Sequence, residues 1–258
     1  MTEAPYEVSK LREMILQLAI QGKLVSQDPK DEPASIKAAE VAKRKDAFIE
    51  QHGYRKVKRL KSVTEDEKLF ELPKGWHWNR IGDVLAVIRG ASPMPKGDPR
   101  YFSEARTQYS WVKISDIGKH SVGKVLYDTD EFLTDQGAGK SVFLPKGTLI
   151  LTNSATIGVP IFLGIPGCIH DGYLAFPFLP LDYINEIYLY HFFTNLKQYM
   201  HAKARGLAQL NLNGLSHLTV EKGVDKLIPR LIMSHIKVDN IIGGHYEHCF
   251  HLFKVSHK

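Results

Sequence analysis

The residues with the most chemistry to offer fall into three groups. Thr152, Asn153, Ser154 and Thr156 lie within five positions of one turn. Arg89 and Lys113 stand at the ends of short apolar runs, with Ser92 and Ser115 close behind them. Arg205, Gln209 and Asn211 surround an expected helix C-terminus. Hydroxyls, amides and long cations on loops suit the donors and acceptors of DNA base edges and the oxygens of phosphates. Each also has a plainer use. Asn and Ser stabilise turns through their own backbone bonds, a cation at a strand end makes a salt bridge, and Gln209 can cap helix carbonyls. Residue types alone leave both uses open.

The chemistry of catalysis is harder to find. There is no GxxxxGK[ST] phosphate loop, no Gly-rich cofactor loop between a strand and a helix, no Asn-Pro-Pro-aromatic tetrapeptide, no GxSxG elbow and no HExxH pair. Asp116, Asp128, Asp130 and Glu131 are close enough in sequence to form a carboxylate cluster, but Asp and Glu in turns are mostly solvated, and no pairing demands a general acid and base. His170-Asp171 beside Gly172 reads as a structural hydrogen bond. His245-x-x-His248-Cys249-x-His251 has zinc-ligand types, but its spacing is crowded and no Cys-x-x-Cys partner exists. The expectation is a non-catalytic chain with no metal site and no cofactor of its own.

Composition narrows the class further. A chain of 258 residues with 43% apolar and 24% charged residues can bury a sizeable core. Its net charge of +6 makes a polyanionic partner plausible without deciding it. Two cysteines, Cys168 and Cys249, fit a reducing compartment. The N-terminus lacks a signal peptide's apolar region and no apolar run reaches the roughly 18 residues that span a bilayer, so a cytoplasmic location without membrane contact is expected.

Elements must then position these residues. Leu11, Met14, Ile15, Leu18 and Ala19 follow the i, i+3, i+4, i+7 rhythm of an amphipathic helix, with Gly22 placed for a left-handed cap. Pro33-Ala34-Ser35 opens a second helix whose thin stripe is Ile36, Ala39, Val41, Ala42 and Phe48. It runs into five cations within seven residues, Arg55 to Lys61, read either as a solvated linker or as a phosphate contact. Leu72-Pro73-Lys74-Gly75-Trp76 marks a boundary. Beyond it come short strand-like runs at 84–88, 111–114, 124–127, 148–152, 159–163 and 174–178, then a helix from Asp182 or Tyr183 to about Ala204. The fold expected is α+β: an N-terminal helical scaffold plus one mixed α/β domain with a curved β core. The divisions are 1–72 for the helical scaffold and basic linker, 73–220 for the recognition domain, and 221–258 for a His-rich tail.

The wording of several stretches adds a family. LQLAIQGKLV, the Gln-Asp-Pro turn, the basic helix and LPKGWHW together resemble the specificity subunits of type I restriction-modification systems. Further segments continue the likeness in order: Arg89-Gly90-Ala91-Ser92-Pro93 with Gly97 to Phe102, Trp111 to Ile117, Pro145 to Gly158, Ile169 to Tyr173, and Gly206 to Asn213. The resemblance implies a target-recognition domain that chooses a double-stranded DNA sequence for adenine methylation and restriction in bacterial defence. It implies methylation and restriction subunits as partners, with S-adenosylmethionine, ATP and Mg on those partners. The stripe Leu11, Met14, Ile15 and Leu18 is then a partner-binding helix face, for methylation subunits or for a second copy of the chain. The likeness fades after Val220, where members continue into a Pro-rich turn and a long helix. A half-subunit and a truncated product both fit. Two alternatives stand beside this: a recognition-domain fragment of a fused restriction enzyme or methyltransferase, and an inactive fragment that only binds the methylation subunit.

Overall fold

The computed structural model describes residues 4–195 and the strand 232–235, apart from positions 25, 28, 31, 56–61, 66, 67, 69 and 155. Helix α1 (Ala4–Ile20) ends as its sequence asks. Gly22 takes φ +69°, its N–H bonds the Ala19 carbonyl, and the Lys23 N–H bonds the Leu18 carbonyl, closing a Schellman cap. A second demand falls on the same glycine. A Cβ there would lie 2.4 Å from the Trp76 ring. The Trp76 indole donates to Gln27 Oε1 at 2.9 Å, and the Gln27 amide donates to the Gly22 carbonyl at 3.1 Å. The end of α1 and the LPKGW boundary are thus one packed junction.

Helix α2 (Ala34–Gln51) buries Ala34, Val41, Lys45 and Ile49, one stripe at helical spacing. Ile36, expected on that stripe, is 62% exposed, and Ala39 also faces solvent. The buried face is rotated from the one the sequence suggested, because the anchoring contacts are polar. Lys45 Nζ donates to the Gly82 carbonyl at 2.8 Å, and Arg44 grips Asp182 through two bonds of 2.8 and 3.1 Å, joined by Lys37. Of the basic run, Arg55 is exposed and 56–61 lie outside the described residues.

Strand β1 (His77–Arg80) leads into the single turn α3 (Ile81–Val84), then β2 (Ile88–Arg89). The expected strand at 84–88 is therefore mostly helix end and connector. A short buried apolar run carries no periodicity to separate the two. Next come β3 (Phe102–Ser103), β4 (Ser110–Val112), α4 (Ile114–His120), β5 (Ser121–Val122), β6 (Val125–Leu126), β7 (Glu131–Leu133), α5 (Asp135–Ala138) and β8 (Val142–Leu144). The series continues with β9 (Leu149–Thr152), β10 (Pro160–Leu163), β11 (Gly167–Ile169) and β12 (Tyr173–Phe176). Helix α6 occupies 186–195, starting later than expected because 181–183 form a turn; positions 196–204 lie outside the described residues. Strand β13 (Ile232–His235), in the tail, pairs antiparallel with β1.

Two mixed sheets carry the core, in the orders β2-β12-β9-β10-β6-β5 and β3-β7-β4-β11-β8. Strand β9 explains the layering. Its successive side chains point to opposite faces, yet all four residues are buried. Leu149 and Leu151 join a cluster with Ile20, Val41, Ile81 and Phe192, so the helices cover that face. Ile150 joins Val112, Leu126, Ile169 and Tyr173, so the other face meets the second sheet. Strand β12 repeats the pattern with Leu174 and Phe176 against Tyr173 and Ala175. The α+β class expected from the sequence is the one observed. Among the described residues no helix is long and apolar enough to cross a membrane.

Candidate nucleic-acid interface

Strand register brings four of the quoted segments to one end of the sheets. Leu174 sits opposite Arg89 and Tyr173 opposite Thr152, so β2 and β9 both end beside the start of β12. Ile169 sits opposite Val112 in a parallel pair, so β4 and β11 end together. The loops after these strands hold Arg89 and Ser92, Thr152 to Thr156, Lys113 and Ser115, and the His170-Asp171-Gly172 turn. No contact among them is visible in the one-dimensional spacing; the antiparallel and parallel pairings create it.

Asp171 is the hub. Arg89 Nε donates to its carbonyl at 3.1 Å, with the guanidinium 3.9 Å from its carboxylate. The Ser92 hydroxyl donates to Asp171 Oδ1 at 2.6 Å, and His170 Nε2 lies 3.1 Å from the same oxygen. The Gly172 N–H donates to His170 Nδ1 at 2.9 Å, which gives His170-Asp171 the structural part expected of it. Two glycines permit the approach. A Cβ at Gly90 would lie 2.2 Å from the His170 carbonyl oxygen, and one at Gly172 would lie 2.5 Å from Ser154 Oγ.

The four residues of the Thr152–Thr156 turn divide by burial. Thr152 is fully buried, its hydroxyl donating to the Thr156 carbonyl and accepting from the Val159 N–H at 2.9 Å, so its side chain serves the turn. Asn153 is also fully buried; its N–H donates to the Gly172 carbonyl at 2.8 Å, and both polar atoms of its side chain lack a hydrogen-bond partner. Ser154 is buried at the edge, and Thr156 is exposed.

Lys113 closes β4 and pairs with Glu131, while its carbonyl accepts from the Tyr173 hydroxyl at 3.0 Å. Ser115 on α4 is exposed. Arg89 and Lys113 are each partly exposed and already face a carboxylate, so any phosphate they bind must compete with Asp171 or Glu131. Arg205, Gln209 and Asn211 lie outside the described residues. Of the expected partner face on α1, Leu11, Met14 and Leu18 are 56%, 53% and 40% exposed, and Ile15 is half-buried. The sequence missed Asp116. Read as a solvated turn residue, it is fully buried at the start of α4, where its Oδ2 accepts the Lys113 N–H at 2.7 Å. The signal was its place three residues after Lys113, the N3 position of a helix that Lys113 caps.

No family model matches the chain. Over 82 residues, 32% of its length, it is 46% identical to the EcoEI type I restriction enzyme specificity subunit of Escherichia coli. An equal stretch is 49% identical to the EcoAI specificity subunit of the same organism. Either match covers 14% of the relative's own length. Among solved structures, the HsdS subunit from Thermoanaerobacter tengcongensis is 16% identical with a TM-score of 0.46, over 78% of this chain and 41% of that one. This 82-residue stretch is thus similar to specificity subunits of type I restriction-modification systems, the family that the sequence wording resembles.

Proposed function

We propose that this chain is a non-catalytic DNA-recognition subunit, or half of one, in a type I restriction-modification complex. The observation that carries this is the convergence of the Arg89–Ser92, Lys113–Ser115, Asn153–Thr156 and His170–Gly172 loops at one sheet end. Such a surface offers hydroxyls and two exchangeable cations to a duplex. Ser115 and Thr156 are its exposed members and Arg89, Ser92 and Lys113 its half-buried ones; Thr152, Asn153 and Ser154 shape the turn that presents Thr156. Arg205, Gln209 and Asn211 are assigned as further DNA contacts on residue type alone.

Residues 1–72 act as the scaffold and 73–220 as the recognition domain. The exposed Leu11, Met14 and Leu18 face docks a helix, from a methylation subunit or a second copy of the chain. Adenine methylation with S-adenosylmethionine belongs to the methylation subunit, and ATP- and Mg-dependent cleavage to the restriction subunit. The test is reconstitution with a type I methylation subunit encoded in the same genome. Addition of the chain should direct methyl transfer to one duplex sequence. Transfer that is equally frequent on all duplexes, or absent, contradicts the proposal and favours a fragment that only occupies its partner.

A further inference from the structure

Behind Lys113 lies a cluster that the loop surface does not use. Asp116 and His120 are one turn apart on α4 and share a face. Asp130 reaches that face from the loop before β7. One carboxylate oxygen from each aspartate and one ring nitrogen of His120 all lie within 4.8 Å of one another. A second observation points to a ligand. Asp116 is wholly shielded from solvent, and its Oδ1 has no hydrogen-bond partner, although Oδ2 accepts from Lys113. A buried carboxylate oxygen with no donor is costly unless a charge compensates it.

We propose that Asp116, His120 and Asp130 bind a divalent transition-metal ion of the zinc class. Two carboxylates and an imidazole are ligand types that zinc accepts, and three protein ligands leave a further position for water or a phosphate oxygen. Zinc bonds of about 2.0–2.2 Å require the three atoms to shift from their present spacing, with the His120–Asp130 pair moving apart to admit the ion. Two existing contacts give way. His120 Nε2 and Asp130 Oδ1, now 2.6 Å apart, exchange their shared proton for the metal. Lys119, which pairs with Asp130 Oδ2 and is 59% exposed, turns into solvent. The bound ion would tie the start of α4, with Lys113 and Ser115, to the segment carrying Glu131. The site stands whether or not the loops read DNA.

The test is zinc titration of the full chain after chelator treatment, followed by calorimetry and thermal melting. The His-rich tail offers competing ligands, so the reference carries H245A, H248A, C249S and H251A. One equivalent of Zn²⁺ should bind and raise the melting temperature. His120→Gln and Asp130→Asn should each weaken that binding by about tenfold or more while leaving the metal-free melting temperature close to the reference. Should the tail substitutions impair folding, the intact chain must lose one zinc equivalent on His120→Gln. No bound equivalent in the reference, or unchanged binding in both variants, overturns the site.

Discussion

Ser92 and Asp171, 79 residues apart, meet through a 2.6 Å hydrogen bond from the serine hydroxyl to the aspartate carboxylate. The Asp171 N–H returns a bond to the same hydroxyl at 3.3 Å. This reciprocal pair locks the loop after β2 to the turn between β11 and β12. Arg89 is held by the same turn, so one cation of the surface is oriented before any ligand arrives. Preorganisation of this kind lowers the ordering cost of binding.

Gly90→Ala should break that lock. The new Cβ would lie 2.2 Å from one backbone oxygen and 2.6 Å from another, neither at the end of a flexible side chain. The expected loss is about 1–3 kcal/mol, read from urea unfolding. At Gly97 a Cβ meets nothing within 4 Å, and only its φ of +75° opposes alanine, so Gly97→Ala should cost about 1 kcal/mol. Equal losses at both sites would show that the close approach of the two loops is not what Gly90 serves.

Thr152 and Thr156 should separate in their effects. Thr152→Val removes the acceptor of the part-buried Val159 N–H and should destabilise the chain by about 1–3 kcal/mol. Thr156→Ala changes an exposed side chain whose turn contact is made by its backbone carbonyl. Its stability should stay within about 0.5 kcal/mol of the parent, while duplex affinity falls. Fluorescence anisotropy with labelled DNA, alongside unfolding curves, reads both. A Thr156→Ala chain that is destabilised yet binds normally would contradict the division.

Much of this was legible in the sequence, and the failures have physical causes. The strand series was readable because Gly, Pro, Asp and Asn punctuate each short apolar run, and Gly22 was readable because a helix end demands a positive φ. Leu149 to Leu151 could not reveal that helices cover one face and a sheet the other, since both faces are apolar. Ile36 was misplaced because α2 is anchored by Lys45 and Arg44, whose partners at Gly82 and Asp182 lie far along the chain. The loops carrying Arg89, Lys113 and Thr156 were identifiable by residue type. Their carboxylate partners were not, because Asp171 and Glu131 arrive through strand pairing. Asp116 was misread because burial depends on that same pairing.

His191 gives the chain a pH dependence. Burial pushes its imidazole down to about 4, and Lys124, with Nζ 3.2 Å from Nε2, pushes the same way. In the unfolded chain the ring titrates near 6.5. Between those values the unfolded chain binds more protons, so stability rises with pH across the interval and is already being lost as pH falls below 6.5. His191→Gln should flatten that slope from pH 4 to 6.5 in urea midpoints, with little change near pH 8. An unaltered slope would place the titration elsewhere.

If the convergent loops choose a DNA sequence, selection from a randomised duplex pool will reveal it. The full chain, with its methylation subunit present, should enrich one short motif. Arg89→Gln combined with Thr156→Ala should lose or alter that motif, while each folds as the parent does. Lys113→Gln should weaken binding to selected and unselected duplexes alike and lower the salt slope by about 1. No enriched motif with the parent, or the same motif with the Arg89 and Thr156 variant, would show that these loops do not choose the sequence.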